Sequence, residues 1–172
     1  MTNYEKDKEK IEWRRAMTME LPQDIFDWLK KECARAKKAG DKANHKLIGH
    51  IKEEYKLEWD KNFEDFILGD CLDHPQMQSH TKGITVLNTS KPFYIESLWV
   101  NYQKKYEFNP VHIHDGLFSF VIWHKVPYHI KDEKARFPHM KESEIRAGHF
   151  VFLMPNELGH ITSHSIAADN EW

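Results

Sequence analysis

His112 and His114 are separated by one residue, and in an extended stretch the two-residue side-chain period directs both imidazoles to one face. That is metal-chelating spacing. Asp115 follows at once, so a carboxylate stands beside the two imidazoles, a donor set that suits Fe(II), Mn(II), Ni(II) or Zn(II). The chain holds twelve histidines, so the pair draws its weight from its neighbours rather than from its own spacing. Pro110 stiffens the approach, and Asp115-Gly116 is a turn signal that would hold the imidazoles at the mouth of a strand, where ligands commonly sit on β scaffolds.

The elements that must position this pair are legible as two textures. In the first seventy positions, which carry 31 of the 52 Asp, Glu, Lys and Arg residues, apolar residues recur at helical spacing. Pro22 sits where a first-turn proline is tolerated, Asp24 and Asp27 favour the helix N-terminus, and Gly40 supplies a stop. Ile25, Trp28, Leu29 and Cys33 would line the buried face of that helix, with Lys30, Lys31, Lys37 and Lys38 on its solvated back. A second helix is predicted over 62–72, with Phe63, Phe66, Ile67 and Cys71 inside. From about residue 94 the period becomes that of strands, giving segments around 95–102, 117–126, 149–154 and 161–166, with 131–146 as a polar loop. Helices first and antiparallel strands after predict an α+β chain in which helices buttress a β-sandwich or jelly roll.

Length and composition set the frame. A chain of 172 residues suits a single domain, here a helical buttress over 1–75 followed by strands over 93–172. A net charge of −2 gives no basic excess for nucleic acid. Cys33 and Cys71 each lie in a helical apolar pattern, which fits reduced core residues better than a disulfide. The first eight residues, Met-Thr-Asn-Tyr-Glu-Lys-Asp-Lys, lack the apolar stretch of a signal peptide, and no run approaches the roughly eighteen apolar residues of a membrane span, so a soluble cytoplasmic protein is expected.

Residues 99–127, Trp-Val-Asn-Tyr-Gln-Lys-Lys-Tyr-Glu-Phe-Asn-Pro-Val-His-Ile-His-Asp-Gly-Leu-Phe-Ser-Phe-Val-Ile-Trp-His-Lys-Val-Pro, resemble the 2-oxoglutarate/Fe(II)-dependent oxygenase-like proteins of marine bacteriophages, cyanophages above all. Residues 21–27 and 47–55 look like the helical lead-in of that family, and 158–166, Leu-Gly-His-Ile-Thr-Ser-His-Ser-Ile, look like one of its later strands. The resemblance implies a double-stranded β-helix, a jelly roll whose open end holds Fe(II) through a His-x-Asp or His-x-Glu pair and a distal histidine, with 2-oxoglutarate as cosubstrate. Carried over, His112 takes the first ligand position, and either His114 or Asp115 the second.

Two departures follow from the same comparison: His114 falls where the family usually has its carboxylate, so that the site would also suit Ni or Zn, and the family's distal-histidine segment is not matched. The segment 152–160 ends on His160 with a spacing similar to that of a distal-histidine strand, yet residues 161–172 resemble the strand that precedes the family's distal histidine. On that reading the roll ends one or two strands short, without distal ligand or keto-acid anchor, and its open sheet edge invites a second copy. Asn101 and Trp123 would line the cosubstrate pocket. The activity implied is hydroxylation of an unactivated carbon of an unknown substrate in an infected bacterial cytoplasm. The alternative is a non-enzymatic jelly-roll module that binds metal and turns nothing over.

Overall fold

In a computed structural model the chain is described over residues 18–82, 91–155 and 158–169. The N-terminal octapeptide, residues 156 and 157 before His160, and the closing residues 170–172 lie outside the described residues. The backbone packs as two units, Met1–Ser119 and Phe120–Trp172.

Helix α1, Gln23–Ala39, opens the first unit. Its buried side is the expected stripe: Ile25, Leu29 and Cys33 are inside, joined by Ala36 one turn on. Trp28 is half-buried and stacks on Phe63, ring centroids 4.9 Å apart. The helix stops at Gly40, whose left-handed backbone (φ 77°) lets its N–H return to the Ala36 carbonyl. Glu32 is buried on the same helix, where it accepts two hydrogen bonds from Arg35 and one from the Glu58 backbone N–H. Both cysteines are free, and burial pushes the Cys33 thiol up to about 11.

Strand β1, Glu54–Lys56, follows, then α2, Lys61–Asp65, which runs directly into a π-helical turn over Phe66–Cys71. Asp60 caps α2 by accepting from the Phe63 N–H at 2.9 Å. After α3, Pro75–Lys82, the chain returns to the sheet as β2, Trp99–Asn101, which pairs antiparallel with β1. The 47–55 stretch, expected as helical lead-in, contains no helix: it follows a short 3-10 turn over Asn44–Lys46 and runs as irregular chain into β1. Ala43 N–H to the Glu54 carbonyl and Lys56 N–H to the Asp41 carbonyl tie the post-α1 segment to the far side of β1, which fixes β1 as extended.

The second unit holds α4, Ile130–Ala135, and two longer strands, β3, His149–Pro155, and β4, Ile161–Ala167, paired antiparallel in continuous register. β3 and β4 lie where the strand pattern placed them. The loop expected over 131–146 instead contains α4 and a 3-10 turn over Glu142–Glu144. Asp169 explains α4: its carboxylate accepts from the Ile130 N–H at 2.7 Å and meets His129 Nδ1 at 3.1 Å, a cap supplied from forty residues away. Residues 117–126, expected as a strand, carry no strand pairing, and Leu117, Phe120 and Val121 are exposed. Strand preference is realised only where a partner strand supplies backbone hydrogen bonds, and among the described residues no strand pairs with this segment. The architecture is α+β, with two two-stranded antiparallel sheets among the described residues.

Candidate functional site

The segment bearing His112 and His114 is held at both ends within the first unit. At its start the His50 N–H donates to the Phe108 carbonyl at 2.9 Å, and the His50 ring packs on Phe108. At its end Phe118 meets Phe93 edge to face, 5.8 Å between centroids. Between these anchors the backbone bends rather than pairs, so the side chains of Val111 and Ile113 stand in solvent, at 81% and 89% exposure.

The two imidazoles nevertheless converge. Their Nε2 atoms lie 2.9 Å apart and their ring centroids 4.8 Å apart. Proton positions follow from the partners. The Pro110 carbonyl can only accept, so His112 Nδ1–H donates to it at 2.7 Å, which leaves the His112 Nε2 lone pair to accept from His114 Nε2–H. Trp99, on β2, stacks against His114 with an interplanar angle of 17° and a centroid separation of 6.2 Å. Partial burial and the positive charge His112 would carry lower the His114 pKa, against the pull of Asp115.

This geometry fits two metal donors. Two nitrogens bound side by side at about 2.1 Å from one metal ion stand about 3 Å apart, the separation found here. A ligating histidine commonly donates its other ring N–H to a carbonyl or carboxylate, and Pro110 serves His112 in that way. Among the described residues, no group of three His, Cys, Asp or Glu side chains comes together to hold an ion. Asp115, exposed beside the pair, acts on His114 through its charge.

The remaining sequence candidates are placed as follows. Asn101 sits on β2 two residues from Trp99, on the same strand face, with its Oδ1 buried and without a hydrogen-bond partner among the described residues. Trp123 and His160 belong to the second unit. Trp123 meets Phe150 edge to face at 5.9 Å, and His160 is exposed between β3 and β4. Two contributors were not foreseen from sequence: the Trp99 ring and the Pro110 carbonyl. An aromatic residue on the strand before a His-x-His, and a proline two residues before its first histidine, are the signals that could have found them.

No protein-family model, no curated protein and no solved structure matches the chain.

Proposed function

We propose that the chain binds a divalent transition metal through Nε2 of His112 and His114, as a relative of the Fe(II)/2-oxoglutarate-dependent dioxygenases of marine bacteriophages. The observation that carries the metal reading is the 2.9 Å approach of the two Nε2 atoms, with His112 oriented by the Pro110 carbonyl. The resemblance of residues 99–127 carries the oxygenase reading, which includes the jelly-roll arrangement and 2-oxoglutarate as cosubstrate.

In that role the protein's own work is positional. The Nδ1–H to Pro110 bond holds His112 in the tautomer whose Nε2 carries the lone pair that a metal would take. His114 can present the same atom by moving its proton from Nε2 to Nδ1, and its lowered pKa keeps the ring neutral for that purpose. Trp99 fixes the plane of the His114 ring, and Asp115 is the adjacent carboxylate for a third position. Fe(II) held there would supply open positions for the keto acid and O2.

Incubation with Fe(II), 2-oxoglutarate and O2, with succinate as readout, tests the enzymatic reading. Succinate formation that disappears in His112→Ala supports it. Metal binding without succinate favours the alternative, a non-enzymatic metal-binding module, for which the exposure of both imidazoles speaks.

A further inference from the structure

Glu54 is 1% exposed, and its Oε1 has no hydrogen-bond partner among the described residues. The other oxygen, Oε2, accepts from Asn44 Nδ2 at 2.9 Å. Across the sheet Glu54 stands directly opposite Asn101. The flanking backbone bonds, Tyr102 N–H to the Glu53 carbonyl and Leu57 N–H to the Leu98 carbonyl, make this a non-hydrogen-bonded pair, the kind whose side chains approach most closely. Asn101 Oδ1 is buried and, among the described residues, partnerless as well.

Asn109 Oδ1 comes close to Glu54 Oε1 from another direction. The His50–Phe108 bridge sets Gly49 beside Asn109, and a Cβ on Gly49 would lie 2.6 Å from Glu54 Oε1 and closer still to Asn109 Oδ1. The absence of a side chain at Gly49 is therefore what leaves room over it. A buried carboxylate oxygen without a partner costs folding free energy unless its charge is neutralised or matched. Burial and the negative charge of Glu107 both raise the Glu54 pKa, against the Asn44 hydrogen bond. One carboxylate and two amide carbonyls are hard oxygen donors, and they suit Ca2+, which takes flexible sets of oxygens at about 2.3–2.6 Å, better than Mg2+, which demands a tight octahedron.

We propose that Glu54, Asn101 and Asn109 form a calcium-class cation site over Gly49, completed by water. The site stands apart from the imidazole pair in its donors and does not rest on the oxygenase reading. It would fix the root of the segment that carries the pair, because Asn109 precedes Pro110.

Calorimetric titration of the full chain with CaCl2, and with MgCl2 in parallel, tests it. The wild type should bind a single Ca2+ more tightly than Mg2+. Glu54→Gln should weaken Ca2+ binding about tenfold or more, and Asn101→Asp, which adds a second carboxylate, should tighten it about tenfold. His112→Ala should leave it unchanged. The rival is an Asn101 or Asn109 amide rotated to donate its NH2 to Oε1, which satisfies the carboxylate without a cation. No Ca2+ binding by the wild type, equal binding by Glu54→Gln, or no gain in Asn101→Asp would overturn the proposal. Should Glu54→Gln fail to fold, Asn101→Asp decides alone.

Discussion

His112 and His114 share one hydrogen bond, and the charged form of His114 is disfavoured first by its partial burial and then by the charge of His112 once that ring is protonated too. The His114 pKa is lowered in the fold, so the unfolded chain takes up this proton more readily than the folded one. The contribution to stability is therefore complete above the unfolded histidine value, about 6.5, and is lost as pH falls through that value toward the lower folded one. Melting temperatures measured from pH 7.5 down to about 5 should fall less steeply in His114→Gln than in the wild type. Parallel curves would show that the pair does not titrate as described. At this scale the imidazole pair was legible in the sequence, because a His-x-His spacing and a preceding proline are local. Glu54 was not. The stretch that holds it is expected as helical lead-in, and Glu54 is buried on a strand because Asn44, Gly49 and Asn109 close over it.

Elements whose signals lie within their own length were legible: α1 with its stripe and glycine stop, β3 and β4 with their alternation. Elements settled by partners were not. The 117–126 segment has strand composition without a strand paired to it among the described residues, and α4 owes its start to Asp169, which no local reading of 130–135 contains. Asp169→Ala should remove both the Ile130 N–H acceptor and the His129 partner, at about 1 kcal/mol. Faster amide exchange across α4 is the readout, and unchanged protection there would contradict the capping role. Phe63 joins α2 to α1 through its contact with Trp28 and is fully buried. Phe63→Ala should cost about 3–5 kcal/mol in denaturant unfolding, as large aromatic truncations in a packed core do, and a loss under about 1 kcal/mol would mean that the Trp28–Phe63 stack is not a keystone of the first unit.

For the molecule as a whole, α+β character was legible from the change of period near residue 94, and the packing into Met1–Ser119 and Phe120–Trp172 was not, since no composition shift marks residue 119. Among the described residues β3 and β4 make a sheet of two strands, with Val151, Leu153 and Ile161 exposed on it. Isolated two-stranded sheets are marginal in water, and their edges pair readily with other chains. Sedimentation at rising concentration should show reversible self-association that Leu153→Lys weakens, whereas a concentration-independent monomer would remove the edge from consideration. The central claim concerns the imidazole pair and is tested most directly on the intact chain by calorimetric titration with Mn(II) or Co(II) at neutral pH. The wild type should bind, His112→Ala and His114→Ala should each weaken binding about tenfold or more, and His139→Ala should not change it. Equal affinity in wild type and His112→Ala would contradict the account.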